Sequence, residues 1–94
     1  MSKQNGVDLF QKLRGTRRKI DLIDRKFLNL LNQRLTLAQE IGRIKKEMGA
    51  KIYDPKREKK VLEGLISKNR GPLKEEDLKQ IFGAMMKVCR KSQI

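Results

Sequence analysis

With 94 residues, of which 37% are hydrophobic and 37% charged, the chain has room for one domain with a modest core. The formal net charge of +13 indicates an anionic partner, either a polyanion such as nucleic acid or a small polycarboxylate. There is no histidine and Cys89 is the single cysteine, which excludes an intramolecular disulfide and a Ser–His or Cys–His catalytic pair and argues against a zinc site.

The N-terminal sequence MSKQNGVDLFQKL carries no apolar segment of the signal-peptide type, and no stretch of the chain approaches transmembrane length. We therefore expect a cytoplasmic protein with no membrane partner. Aromatic residues make up only 4% of the chain, a composition that favours helices over strands. The expected organisation is a single domain over residues 1–94, with residues 1–8 as a flexible N-terminus.

A first helix of roughly 40 residues is predicted from about Val7 to Met48, since no proline interrupts this stretch. Such a helix is about 60 Å long, which exceeds the dimension of a compact domain of this size. A single copy leaves much of its apolar face in water, so we predict a second copy as partner; a plain coiled coil is the alternative. The apolar residues recur close to a heptad, at Leu13, Ile20, Phe27, Leu31, Ala38, Ile41 and Met48.

Two shorter helices are predicted downstream. Gly49 ends the first pattern, and Asp54 followed by Pro55 is typical of an N-cap and a first helical position. Residues 67–72 are predicted to form a loop, and a third helix is predicted to start near Leu73. The fold class is therefore all-α, with one long, one short and one medium helix. The apolar stripes are Val61, Leu62, Leu65 and Ile66 in the second helix and Leu78, Ile81, Phe82, Met85 and Cys89 in the third.

Four polar side chains interrupt these apolar faces. Arg34 and Lys45 fall on the stripe of the first helix, about 20° and roughly 16 Å apart, so that their tips can converge on one small ligand. Glu58 leads the stripe of the second helix, and Gln93 continues that of the third. Snorkelling side chains, or an ion pair of Glu58 with Arg34 or Lys45, are the structural alternatives. Because one carboxylate does not neutralise two cations, the four residues together predict a positively charged pocket for a small anion.

Arg17 precedes Arg34 by 17 residues, which is about 25 Å along the helix and about 100° around it. One chain cannot direct both side chains at the same small ligand. If Arg17 serves the pocket, it serves the pocket of a partner chain, which an antiparallel pairing of long helices allows. The alternative is an exposed arginine that pairs with Asp21 at i+4.

These residues, in this order, resemble the all-α chorismate mutase family over nearly the whole chain, from about Leu13 to Gln93. The likeness rests on the segments LRGTRRKIDLIDRKFLNLLNQR, EIGRIKK and DPKRE, followed by the GP loop and the closing helix. The resemblance implies an intertwined helical homodimer and an isomerase that rearranges chorismate to prephenate in phenylalanine and tyrosine biosynthesis. It also implies that positioning and electrostatic stabilisation suffice, with no covalent step, no metal and no cofactor.

The resemblance assigns a role to each matching residue of the first and last helices. Arg34 is similar to the family's in-chain arginine that grips a substrate carboxylate, and Arg17 to the arginine donated by the neighbouring subunit. Lys45 matches the lysine that reaches the ether oxygen and a carboxylate. Gln93 matches the second donor to the ether oxygen.

The second helix and Cys89 complete the implied site. Asp54, Arg57 and Glu58 match the family segment that closes over the substrate and holds its ring hydroxyl, with Glu58 as the direct contact. Cys89 stands where several members carry a serine that hydrogen-bonds a carboxylate. A thiol is a weaker donor than a hydroxyl, so this position departs from the family pattern.

Three other functions are compatible with parts of the sequence. An isochorismate pyruvate lyase on the same scaffold uses much the same anion ligands. A nucleic-acid-binding helical protein fits the net charge, but 11 acidic residues are interleaved with the basic ones and aromatic surface is scarce, so we expect no nucleic-acid partner. The third is a regulatory partner that associates non-covalently with another shikimate-pathway enzyme, because relatives occur fused to such enzymes.

Overall fold

A computed structural model describes the backbone of residues 2–94 and the side chains of residues 8–94. Within this part of the chain there are three α-helices and no strands, which confirms the all-α fold with one long, one short and one medium helix. The helices are α1 (Ser2–Met48), α2 (Pro55–Lys68) and α3 (Glu75–Lys91). The flexible N-terminus expected over residues 1–8 falls almost wholly outside the described side chains and stays a prediction. No helix in the described chain has both the length and the apolar character to cross a membrane.

The chain divides into two compact units, Met1–Gln33 and Arg34–Ile94. In the first unit the apolar stripe of α1 is about half exposed, with 46% of Leu13, 51% of Ile20 and 49% of Phe27 accessible to solvent. A row of exposed apolar side chains along one helix is typical of a surface that another chain covers.

The second unit has a small core from two helices. The buried hydrophobic residues, each at most 5% exposed, are Ala38 of α1 and Leu78, Met86 and Cys89 of α3. The predicted stripe of α3 included Ile81, which is 47% exposed, and did not include Met86. Relative to Leu78, Met86 lies about 80° around the helix in one direction and Ile81 about 60° in the other. The buried face of α3 is therefore rotated toward Met86.

Helix α1 ends in a pair of hydrogen bonds that turns the chain. Gly49 has a φ of 67°, a left-handed conformation that a residue without a Cβ adopts at little cost. Its N–H donates to the Lys46 carbonyl at 3.2 Å, and the Ala50 N–H donates to the Lys45 carbonyl at 2.8 Å. The connection that follows stays close to the end of α1, where the Lys45 ammonium donates to the Ile52 carbonyl at 2.7 Å.

Helix α2 begins as the sequence predicts. The Asp54 carboxylate accepts the backbone N–H of Arg57 at 3.0 Å, and the proline after Asp54 occupies the start of the helix. The helix ends at Lys68, beyond the start of the predicted loop. The Ser67 hydroxyl donates to the Gly64 carbonyl at 2.8 Å, so this polar side chain is satisfied without leaving the helix.

The loop between α2 and α3 is held by Asn69. Its Nδ2 donates to the Leu73 carbonyl at 2.8 Å, and its Oδ1 accepts the Gly71 N–H at 3.1 Å. Lys74 is extended, with φ −74° and ψ 150°, so α3 begins at Glu75, two residues after Leu73. Three acidic side chains in the first turn of α3 interact favourably with the helix N-terminus.

Gly42 of α1 lies directly against Gln93, near the end of the chain. A Cβ built on Gly42 meets the Cα of Gln93 at 2.8 Å and its Cβ at 2.9 Å. No larger side chain fits at this point, so Gly42 determines how closely Gln93 approaches α1. The backbone of Gln93 is also held by its own N–H, which donates to the Arg90 carbonyl at 3.1 Å.

Replacing Gly42 with alanine is expected to destabilise the protein by about 1–3 kcal/mol, because the added methyl group overpacks the contact with Gln93. The matched control is Gly64→Ala in α2, where nothing lies within 4 Å of an added Cβ and alanine improves helix propensity by up to about 1 kcal/mol. Urea unfolding, followed by circular dichroism at one fixed protein concentration, measures both free energies. Equal stability of the two variants contradicts the close approach.

Candidate active site

One cavity of the second unit collects most of the predicted site residues. Its volume of about 270 Å³ suits a small molecule. Seven of the eight predicted site residues line it, and the eighth, Arg17, belongs to the first unit. The full lining is Arg34, Leu37, Ala38, Ile41, Lys45, Ile52, Asp54, Arg57, Glu58, Val61, Met86, Cys89, Arg90 and Gln93.

Arg34 lines the cavity from α1 and is half-buried. Among the described residues no carboxylate lies within 4.0 Å of its guanidinium nitrogens. A half-buried guanidinium without a partner has lost part of its hydration and gains from binding an anion. The position of Arg34 therefore suits the carboxylate-binding role that the sequence predicts.

Lys45 lies three turns further along α1 and is also half-buried. Its Nζ donates to the Ile52 carbonyl at 2.7 Å, a contact that orients the side chain without neutralising its charge. An ammonium has three N–H donors, and the other two have no protein partner in the described part of the chain. Two oriented donors therefore remain for a ligand.

Glu58 forms an ion pair with Arg90, a residue that the sequence patterns did not single out. Its Oε2 accepts a hydrogen bond from Arg90 Nη1 at 2.6 Å, and the two side chains are only 27% and 28% exposed. The alternative in which Glu58 neutralises Arg34 or Lys45 is therefore wrong. Arg34 and Lys45 therefore have no acidic partner among the described residues, because the glutamate pairs with Arg90 instead.

Asp54 and Arg57 line the cavity from the start of α2, and both are exposed. The Asp54 carboxylate accepts the Arg57 N–H and so caps α2, which is a structural role independent of any contact with a ligand. No carboxylate among the described residues pairs with the Arg57 guanidinium. Arg57 is thus another cation that a ligand can neutralise.

Cys89 and Gln93 line the cavity from the end of the chain. Cys89 is a free thiol, 5% exposed. Helix α3 ends at Lys91, short of Gln93, but the Ser92 N–H donates to the Val88 carbonyl at 3.2 Å and the continuing turn keeps Gln93 at the cavity. The buried Oε1 of Gln93 has no hydrogen-bond partner within the described residues. A buried amide oxygen without a partner is costly and is satisfied only by a hydrogen-bond donor, whereas Nε2 is the atom of this amide that can donate to a ligand.

The charges around the cavity do not balance. Two more cationic than anionic side chains line it, so a ligand with two carboxylates restores neutrality in a partly enclosed space. Residues 8–94 contain no group of three His, Cys, Asp or Glu side chains that could hold a metal ion. The cations are Arg34, Lys45, Arg57 and Arg90, and the anions are Asp54 and Glu58.

Arg17 is exposed on α1 and lines a depression of the first unit. The alternative for this residue was a pair with Asp21, but no ion pair joins the two in the described chain. The Arg17 guanidinium is therefore available to a group of opposite charge. The other residues of the depression are Phe10, Leu13, Arg14, Arg18 and Asp21.

Comparisons with known sequences point to one family. The family model described as chorismate mutase type II matches residues 16–94. The bifunctional chorismate mutase/prephenate dehydratase of Stutzerimonas stutzeri is 35% identical over 83 residues, which cover 83% of this chain and 23% of that relative. The chain spans about a quarter of the length of the first curated relatives it matches.

Two solved structures share the fold. Chorismate mutase form II from Thermus thermophilus matches with a TM-score of 0.86 at 35% identity, over 87% of this chain and 93% of that one. Chorismate mutase from Helicobacter pylori, solved in complex with prephenate, matches with a TM-score of 0.80 at 36% identity, over 86% and 88% of the two chains.

Proposed function

The chain belongs to the chorismate mutase type II family, and we propose that it rearranges chorismate to prephenate in the cavity of the second unit. The observation that carries the proposal is the pair Arg34 and Lys45, two cations on one cavity with no acidic partner among the described residues. The Helicobacter pylori relative, solved with prephenate, supports a ligand of this chemistry. The enzyme is then an isomerase of phenylalanine and tyrosine biosynthesis.

Chorismate carries two carboxylates, which matches the two positive charges in excess around the cavity. Arg34 binds one carboxylate, preferably through two parallel N–H···O bonds of its planar guanidinium. Arg57 adds positive charge from α2, where the Asp54 cap fixes its backbone. Substrate binding thus neutralises cations that the protein leaves unpaired.

The reaction is intramolecular: the ether C–O bond of chorismate breaks while a C–C bond forms, and no atom leaves the molecule. The site has to hold the enolpyruvyl arm over the ring and to stabilise the negative charge that develops on the ether oxygen. Lys45 donates to this oxygen with an N–H that Ile52 does not engage, and Gln93 is the second donor. Donors that are already in place need no reorganisation as the charge develops. Glu58 accepts the ring hydroxyl.

We assign Arg17 to the site of a second copy. An intertwined homodimer buries the apolar stripe of the first unit, which is half exposed in the single chain. Two identical chains related by a twofold axis form two equal sites, each with one arginine from the partner. Light scattering on the eluting protein is expected to give twice the mass of one chain. A monomer at micromolar concentration contradicts this arrangement.

Product identification tests the proposed reaction against the pyruvate lyase alternative. The purified protein is incubated with chorismate and, separately, with isochorismate, and the products are separated by chromatography. We expect prephenate from chorismate and no release of pyruvate from isochorismate above the rate in buffer. Pyruvate release without prephenate formation overturns the proposal in favour of the lyase.

Cys89 offers a test of the departure from the family pattern. Cys89→Ser is expected to lower KM for chorismate about two- to tenfold with kcat little changed, because a hydroxyl donates to a carboxylate more strongly than a thiol does. Cys89→Ala is the matched control, since it also removes the sulfur but adds no donor. Steady-state kinetics of both variants decide the point: equal KM values contradict a contact between residue 89 and a substrate carboxylate.

Two further expectations accompany the proposal. We expect cytoplasmic residence and a non-covalent association with another enzyme of the shikimate pathway. The name of the Stutzerimonas stutzeri relative joins the mutase with prephenate dehydratase, which supports a link to the next step of the pathway. Co-elution with a separately purified prephenate dehydratase is the expected result, and independent elution counts against the association.

A further inference from the structure

Arg90 connects three parts of the second unit at the cavity. It lies in the last turn of α3, and its Nη1 donates to Glu58 Oε2 of α2 at 2.6 Å. Its guanidinium carbon also lies 4.3 Å from the centre of the Tyr53 ring, in the connection between α1 and α2. Arg90 thus contacts both the glutamate and the segment that leads into its helix.

Both contacts restrict the Glu58 carboxylate. A hydrogen bond of this length between two charged, partly buried groups is among the stronger ones in proteins. The aromatic ring under the guanidinium limits the positions that Arg90 itself adopts. The bond engages only Oε2, and Oε1 has no partner among the described residues. One oxygen of Glu58 is therefore fixed, and the other is free to accept a hydrogen bond.

We infer that Arg90 is a positioning residue, which holds Glu58 so that its second oxygen accepts the ring hydroxyl of the substrate. The inference rests on the proposed function. It makes Arg90 responsible for the preference for a hydroxylated ring, although Arg90 does not touch the hydroxyl. The cations at the cavity then have different roles. Arg90 binds a protein carboxylate, whereas Arg34 and Lys45 have no carboxylate partner among the described residues and are available to the substrate.

The rival assignment is that Arg90 binds a substrate carboxylate directly. Against it, the Arg90 guanidinium already pairs with Glu58 through Nη1 at 2.6 Å, so a substrate carboxylate bound to its other N–H groups shares one cation with a partly buried protein carboxylate. Arg34 binds an anion without breaking any ion pair of the described chain. The geometry therefore favours an indirect role for Arg90.

The experiment measures kcat/KM for chorismate and for a chorismate analogue that lacks the ring hydroxyl. The ratio of the two values is compared in the wild type, Arg90→Met, Glu58→Ala and the double variant. We expect each single variant to lower the ratio about tenfold and the double variant to lower it no further, since the two residues act through one hydrogen bond. Lys87→Met, an exposed cation on the same helix, is the matched control and keeps the wild-type ratio.

Each outcome decides between the roles. A purely structural Arg90 lowers both kcat/KM values equally and leaves the ratio unchanged, which overturns the inference. A double variant that loses the product of the two single effects also overturns it, in favour of independent contacts. If Arg90→Met does not fold, Arg90→Lys, which keeps the charge, is expected to retain most of the ratio. A folded wild type that does not turn over chorismate overturns the proposed function and this inference together, whereas an active wild type with an unchanged ratio overturns the inference alone.

Discussion

Arg34→Ala is expected to lower kcat/KM for chorismate by about 10²- to 10³-fold while the helical circular dichroism signal stays near that of the wild type. The loss is large because Arg34 is half-buried and its partner is a substrate carboxylate, which remains unpaired when the guanidinium is removed. The fold tolerates the change because no ion pair within the described chain depends on this side chain.

Arg43→Ala is the control for Arg34→Ala. Arg43 is exposed on the same helix and does not line the cavity. Its replacement removes the same atoms and the same charge as Arg34→Ala does, but away from the cavity. We expect its kcat/KM to stay within about threefold of the wild type, since only long-range electrostatics change. Equal losses in the two variants contradict a specific contact of Arg34, and an unfolded Arg34→Ala protein identifies a structural arginine.

Two inactive proteins are expected to restore activity when they are mixed. Arg17→Ala removes the residue that each chain donates to its partner, and Lys45→Ala removes a donor to the ether oxygen in each chain's own site, a change that costs about 10²- to 10³-fold in kcat. In a hybrid dimer, the chain with Arg17→Ala keeps its own Lys45 and receives Arg17 from the other chain. Random exchange at equal concentrations therefore restores about a quarter of the sites.

The control mixes Arg17→Ala with the double variant Arg17→Ala, Lys45→Ala. No hybrid of this pair contains a complete site, so the activity stays at the level of the separate proteins. Subunit exchange is verified beforehand with one tagged and one untagged partner. If exchange is complete and the first mixture remains inactive, Arg17 does not act across the subunit interface.

The fold could be predicted closely because its boundaries depend on local chemistry. Asp54 caps α2 and Gly49 takes the left-handed conformation at the end of α1, as residues of these types do in many proteins. The start of the loop between α2 and α3 was predicted less accurately. Ser67 bonds within α2 and Asn69 holds the following segment with two side-chain hydrogen bonds, so the loop starts two residues later than the pattern indicates.

Only some of the residues at the cavity could be predicted from the sequence. Arg34 and Lys45 stand out because a charge on an apolar stripe is visible from the period of one helix. Arg90 lies off the predicted stripe of α3, and it comes to the cavity because the buried face is rotated toward Met86. Met86 precedes Arg90 by four residues, so the two side chains lie on the same face of α3. The sequence did not indicate that Met86 is buried, and without that burial Arg90 could not be placed at the cavity.

Contacts between distant parts of the chain are a second limit. Gly42 belongs to the EIGRIKK segment, but nothing in that segment shows that Gln93 packs against it. Likewise, the preference of Glu58 for Arg90 over two other nearby cations depends on the relative placement of α2 and α3. Contacts of this kind depend on tertiary packing, which the apolar periodicity of a single helix does not predict.

The most direct test of the account is a crystal structure of the protein with prephenate, because it locates the ligand, the cations and the second chain together. We expect prephenate in the cavity of the second unit, with carboxylate oxygens about 2.7–3.2 Å from Arg34 and Lys45 nitrogens and a partner chain supplying its arginine at position 17. Prephenate at another place, or in a cavity that no second chain completes, contradicts the account.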